Sequence, residues 1–212
     1  HARFLDRRAN SRTSKLEGTR YDRSQQVAAV AEQILLMHDR KTYNRKYNAL
    51  FAVESVEMLV KYYDYFKSAS HNLKIAAVFT FHANADTTHL AETPRDSLER
   101  MIADYNRMFG CNFTTERYSE YVCDLSKKVK SVQIDILLVV GMFLTGFDSK
   151  MLNTLYIDKN MQYHDLLQAY SRTNRIESAT KPHGNIVCFR DLKEKTDQAV
   201  CLFSKTDCAD TV

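Results

Sequence analysis

Residues 137–152 read LLVVGMFLTGFDSKML: an apolar run of strand length stops at Gly141 and, after a second glycine at Gly146, hands over to a carboxylate at Asp148. A short continuous Leu/Val run bounded by glycine has the texture of a strand buried on both faces. The same texture recurs in both directions along the chain. Upstream lie ALFAV (49–53) and KIAAVFTF (74–81), and downstream TLYID (154–158) and NIVCFRD (185–191). Helical periodicity fills the intervals. Ser55 is placed to cap VEMLVKYYDYFKSA, where Val56, Leu59, Tyr63 and Phe66 recur at helical spacing. Thr93, Pro94 and Gly110 sit at the N-cap, the first helical position and just past the end of PRDSLERMIADYNRMF. Further helices are predicted over TERYSEYVCDLSKKVK, over YHDLLQAYSRTNRI, and from Ser24 as N-cap over QQVAAVAEQILLMHDR, whose apolar face is Val27, Val30, Ala31, Ile34 and Leu35. Apolar strands alternating with helices predict an α/β fold, a mostly parallel sheet with helices on both faces. Residues 1–23, rich in Arg and poor in large apolar side chains, are expected to form a solvated arm or interdomain linker. The folded domain is expected over 24–205, with 206–212 as a tail.

Composition narrows the function classes. Hydrophobic residues make up 44% of the chain, enough for one core without disulfides. The five cysteines are odd in number and none forms a C-x-x-C pair, so neither a disulfide framework nor a zinc site is indicated, and a reducing cytoplasm is expected. The chain has no apolar run of membrane-spanning length and no export-signal pattern. A net charge of +4 permits a polyanionic partner without demanding one.

In open parallel sheets ligands collect outside the carboxyl ends of strands, which directs attention to the residues following each strand. Gly146, with Thr145 before it and Asp148 after it, suits a loop whose backbone approaches a ligand closely, although a tight turn with a solvated carboxylate explains the same letters. A second constellation is QAYSRTNRI (168–176), where helical spacing predicts Gln168, Arg172 and Arg175 on one side. A surface ion-pair face is the simpler reading. Paired arginines beside an amide are also what neutralises charge on a transferred phosphoryl group. The scattered histidines, with His82 and His89 seven apart, do not suggest a metal site. Tyr62, Tyr63 and Tyr65 could stack on bases, but two of them fall on an apolar helical face and read as packing.

The order LTGFD, strand, QAYSRTNR resembles helicase motifs V and VI of superfamily 2. The longer run LLVVGMFLTGFDSKMLNTLYIDKNMQYHDLLQAYSRTNRI with GNIVCFRDL is similar to the motor (R) subunit of type I restriction enzymes. The similarity extends upstream through YNALFAVESVEMLVKYYDYFK, LKIAAVFTF and IADYNRMFGCNF. It implies that residues 24–205 are the second RecA-like domain of an ATP-dependent translocase of double-stranded DNA, taken from a longer chain with a first motor domain and a nuclease domain. It also implies methyltransferase and specificity subunits as partners. Carried over residue by residue, Arg172 and Arg175 match the motif VI arginines that reach ATP phosphates, and Gln168 matches the motif VI amide. Gly146 and Asp148 match the motif V pair near the nucleotide. Ser55, Thr80 and Thr145 stand where such motors touch DNA phosphates, Ser55 being explained as well by capping. Val140 and Gly141 depart from the Thr-Asp pair common in the superfamily. Ser171 and Asn174 replace its usual motif VI glycines, as in the type I group. The chain contains no G-x-x-x-x-G-K-[ST] and no D-E motif II, so these residues alone are not expected to hydrolyse ATP, and Mg²⁺ is expected mainly on the other domains. The alternative is a degenerate RecA-like module that binds nucleic acid without ATPase activity.

Overall fold

The computed structural model describes residues 3–4, 23–80, 93–144, 146–161, 163–173, 181 and 183–204. The elements are β1 (Arg3–Phe4), α1 (Arg23–Lys41), β2 (Asn48–Val53), α2 (Val56–Ser68), β3 (Ile75–Phe79), α3 (Pro94–Phe109), α4 (Tyr118–Lys130), β4 (Ile136–Val140), β5 (Leu152–Asp158), α5 (Tyr163–Ser171), β6 (Asn185–Cys188) and α6 (Lys193–Ser204). All strand pairs are parallel, in the order β1-β6-β5-β2-β4-β3. The α/β expectation is therefore met. The strands form the core for the reason their letters gave: every residue of β2, β3 and β5 is buried, β3 included although it is an edge strand.

The path from β2 to β3 crosses the sheet in one direction, and those from β3 to β4 and from β5 to β6 cross it in the other. Right-handed crossovers then put α2 on one face and α4 and α5 on the opposite one. Helix α1 packs on α2 and α5 on α6. The face under α1 and α2 is aromatic, with Phe51 edge-on to Tyr62 at 4.7 Å and to Tyr156 at 6.3 Å.

Capping expectations hold at two helices. The Ser55 hydroxyl accepts from the Met58 amide at 3.2 Å, and Thr93 accepts from Asp96 at 3.2 Å, with Pro94 opening α3. Gly110 closes that helix in the left-handed conformation, φ 66°. Three expectations change. Helix α1 starts at Arg23, so Ser24 lies inside it and is not its N-cap. Within the arm, Arg3 and Phe4 pair with Asn185 and Ile186, because the outer edge of β6 offers unpaired backbone groups to any extended segment beside it. Helix α6 was not foreseen; its apolar face is short, and it is held by Thr196, which donates to the Leu192 carbonyl at 2.7 Å and bonds the Tyr170 hydroxyl at 3.0 Å.

Buried tyrosines are tied to carboxylates. Tyr62 donates to Asp158 at 2.5 Å, Tyr63 to Asp104 at 3.0 Å and Tyr105 to Asp124 at 2.7 Å. Burial, then the adjacent carboxylate charge, drives the phenols of Tyr62 and Tyr63 far up, so they remain protonated donors. Tyr62 and Tyr63 are core residues and not base-stacking platforms, as the apolar-face reading had it.

Candidate functional site

A parallel sheet has two chemically distinct edges, and the residues singled out from the sequence divide between them. Ser55 follows β2 and Thr80 follows β3, so both stand at the carboxyl edge, with Thr80 exposed. Gly141 leaves β4 at the same edge, where Tyr118 at the start of α4 donates to the Phe79 carbonyl at 2.8 Å and approaches the Met142 sulfur at 3.2 Å. The loop does not stay there. It carries positive φ at Gly141, Phe143 and Gly146, and descends toward the start of β5 at Leu152. Phe143 takes a φ of 64°, unfavourable for a side-chain-bearing residue, and its ring packs on Phe147 with centroids 4.7 Å apart. Lys130, at the end of α4, lies 5.6 Å over the Phe147 ring. Asp148 thus belongs to the amino side of β5, not to the carboxyl end of β4 as the sequence reading placed it.

Gly146 has φ 72°, and a side chain there would meet no atom within 4 Å, so the glycine serves the turn and leaves open space above it. Asp148 is exposed, and its neighbour Ser149 is buried with a hydroxyl that has no partner among the described residues. Thr145 lies outside the described residues.

Helix α5 runs from the carboxyl edge back to this same amino side. It ends at Ser171, earlier than the spacing of QAYSRTNRI suggested, because side chains take over the last carbonyls. Ser171 donates to the Gln168 carbonyl at 2.7 Å, and Thr173 to that of Tyr170 at 3.2 Å. The Arg172 Nε also donates to the Gln168 carbonyl, at 3.2 Å. The amides of Arg172 and Thr173 close a tight turn on Ala169 and Tyr170. Arg172 is therefore a turn residue just past the helix, one turn on from Gln168. Arg175 lies outside the described residues, as do His82 and His89.

The turn places Arg172 on the loop that carries Asp148. Its Nη1 donates to the Phe147 carbonyl at 2.8 Å, and its Nη2 to the Ser171 hydroxyl at 3.2 Å. Every one of these partners is neutral. The half-buried guanidinium is oriented by hydrogen bonds while no described carboxylate pairs with its charge. Gln168 stands one turn back, half-buried. The same side holds a buried lysine, Lys181, donating to the carbonyls of Lys150 at 2.9 Å and Leu152 at 2.6 Å. Sequence reasoning missed this residue, and also missed Phe147, Ser149, Thr173 and Gly184. Of these only Gly184, a glycine one residue ahead of a strand, carried any signal in the letters.

At the carboxyl edge Asp158, Arg190 and Glu54 form one charged network. Asp158, fully buried at the end of β5, accepts from Tyr62 and from the Arg190 Nε at 2.6 Å, and Arg190 also lies 3.6 Å from Glu54. Among the described residues no group of His, Cys, Asp and Glu could hold a metal ion, and no helix is long and apolar enough to cross a membrane.

Comparison with known proteins places the chain in a family. Residues 45–191 match the family model of domain 3 of the type I restriction enzyme subunit R. The chain is 50% identical over 197 residues to the endonuclease subunit of a type I restriction enzyme of Staphylococcus aureus (strain COL), covering 88% of this chain and 21% of that protein. It is 52% identical over 203 residues to the corresponding subunit of Staphylococcus saprophyticus, covering 89% and 21%. The chain thus spans about a fifth of the length of these relatives. Among solved structures it is similar to the C-terminal part of the Fun30 ATPase domain, with TM-score 0.44 and 12% identity over 74% of this chain and 39% of that one. It is also similar to domain 2 of the DEAD-box helicase Mss116p, with TM-score 0.40 and 14% identity over 78% and 50%. With the family model covering most of the sheet and both segments of the site, this chain belongs to the family of type I restriction enzyme R subunits.

Proposed function

We propose that this chain supplies the second RecA-like motor lobe of a type I restriction endonuclease, whose R subunit couples ATP hydrolysis to translocation and cleavage of double-stranded DNA. The first motor lobe and the nuclease domain would lie elsewhere in the same chain, and methyltransferase and specificity subunits would complete the assembly. The single observation that carries the reading is the Arg172 guanidinium, fixed by neutral oxygens of Phe147, Gln168 and Ser171 on the loop that carries Asp148. Hydrogen bonds to neutral groups orient a cation without cancelling its charge, which is what a phosphate-facing arginine needs before its ligand arrives.

The residues present fit an ATP site shared between two lobes. ATP bound there, with Mg²⁺ held mainly by the other lobe, supplies the anhydride whose cleavage drives movement. Arg172 and Arg175 neutralise the negative charge that develops on the transferred phosphoryl group. The exposed Asp148 carboxylate accepts hydrogen bonds from a ribose or from the arginines, and Gly146 leaves room for the nucleotide against the backbone. Gln168 contributes its amide one turn back. On the opposite edge Ser55 and Thr80, with Thr145 on the connecting loop, take DNA phosphates with donors that read no sequence. The loop from Gly141 to Met151 then links a DNA-facing edge to a nucleotide-facing one.

The test is DNA-stimulated ATP turnover by the full-length R subunit assembled with its partner subunits. Arg175→Ala is expected to lower kcat by about 10²- to 10³-fold while nucleotide affinity stays close to that of the unaltered protein. Unchanged turnover removes the arginine from the reaction and favours a module that only binds nucleic acid.

A further inference from the structure

Gly184 stands one residue ahead of β6, and a methyl group on it would lie 2.4 Å from the carbonyl oxygen of Thr173 and 2.6 Å from the Cβ and Oγ1 of the same residue. Its φ is outside the left-handed region, so glycine is needed here for space and not for conformational freedom. The obstructing atoms include backbone, which cannot swing aside as the end of a flexible side chain would. Thr173 is fully buried and follows Arg172 directly. Arg172 in turn grips the Phe147 carbonyl, one residue from Asp148. A line of contacts therefore runs from Gly184 through Thr173 and Arg172 to the Asp148 loop. The segment carrying Gly184 is itself anchored, since Lys181 spans the Lys150 and Leu152 carbonyls at the start of β5.

We infer that Gly184 is a positioning residue for the arginine turn: it is the seat on which Thr173 rests, and through Thr173 it sets where the Arg172 guanidinium stands relative to the Asp148 loop. The inference rests on the proposed role of Arg172 at a phosphate. An added methyl group pushes the Thr173 backbone outward, and Arg172 moves with it. A displacement of about 1 Å at a charge-stabilising group is enough to cost on the order of 10²-fold in rate.

The experiment uses the full-length R subunit with its partner subunits and compares Gly184→Ala with Val78→Ala, a core truncation in β3 remote from the turn. Two quantities are read: kcat and KM for ATP in DNA-stimulated turnover, and amide hydrogen exchange of the peptide covering residues 163–173. Gly184→Ala is expected to lower kcat at least tenfold with KM for ATP changed less than threefold, and to speed exchange in that peptide. Val78→Ala is expected to lower Tm while leaving both quantities as they were. Should Gly184→Ala fail to fold, Thr173→Gly removes the Cβ and Oγ1 from the other side of the contact and is expected to give the same pair of changes. Normal kcat, with or without altered exchange, overturns the inference, as does a kcat loss without altered exchange. If the unaltered protein turns over no ATP, the proposed function fails, and unaltered exchange in Gly184→Ala would then show separately that the glycine does not seat the turn.

Discussion

At the carboxyl edge charged side chains are matched to one another, Asp158 to Arg190 and Arg190 to Glu54, with Tyr62 completing the set. On the amino side of β5 and β6 the polar side chains are turned instead onto backbone carbonyls. Arg172 holds Phe147 and Gln168, Lys181 holds Lys150 and Leu152, and Asn153, Thr154 and Asn185 converge on the carbonyl of Lys41 at the end of α1. Paired charges fix structure by cancelling one another. A cation oriented by neutral oxygens, as Arg172 is, is held in place and keeps its charge. The two edges therefore differ in how they hold charge: Asp158 and Arg190 close on each other, whereas Arg172 is oriented by neutral oxygens.

The sharpest way to break that contrast is Asp158→Ala, which strips the buried partner from Arg190 and from the Tyr62 hydroxyl. Removing one side of a buried pair is expected to cost about 3 kcal/mol, measured by urea unfolding of the full-length protein. A loss below about 1 kcal/mol would mean the carboxyl-edge network is no structural anchor. Next in size is the pH response of His38, buried in α1 with Nε2 unpartnered among the described residues and Nδ1 3.4 Å from the Tyr156 hydroxyl. Burial pushes its pKa down from 6.5 to about 4. The unfolded chain therefore takes up this proton at higher pH than the folded one. The stabilisation is complete above pH 6.5 and is lost as pH falls toward 4, by about 3 kcal/mol from this one group at most. His38→Leu should flatten the stability profile over that window, and an unchanged slope would assign the acid sensitivity elsewhere.

On the amino side, Arg172→Lys keeps the charge but cannot reproduce the forked contact with Phe147 and Gln168. We expect a loss of stability of about 1 kcal/mol together with a clear fall in DNA-stimulated ATP turnover. Full turnover would show that charge alone, without orientation, is sufficient. The smallest effect separates two roles of Ser55. As an N-cap, Ser55→Ala should cost about 1 kcal/mol and Ser55→Gly only a few tenths. Equal weakening of DNA binding by both variants, measured by anisotropy with a short duplex, would point to the hydroxyl and not to the helix.

Most of the scaffold was legible because strand and helix signals are local. The run that stops at Gly141 and the runs 49–53, 74–81, 154–158 and 185–191 hold β2 to β6, and Thr93, Pro94 and Gly110 bounded α3 as read. Element ends were less secure. The serine and threonine of QAYSRTN were counted as helical, yet their hydroxyls compete for the carbonyls of Gln168 and Tyr170 and stop α5 at Ser171. Arm residues Arg3 and Phe4 have no local signal at all, since what orders them is the free edge of β6, 182 residues away in register.

By itself the sequence determined the α/β class and the identity of the core strands, and it singled out the residues proposed for phosphate contact, because periodicity, capping and motif order are written in neighbouring letters. Only the tertiary structure decided which of those residues meet. The loop of Asp148 leaves one edge of the sheet and descends toward the other, and α5 returns antiparallel to β5 to deliver Arg172 beside it. Such a meeting depends on crossover handedness and on space, as at Gly184, where the missing side chain acquires meaning only once Thr173 is packed against it.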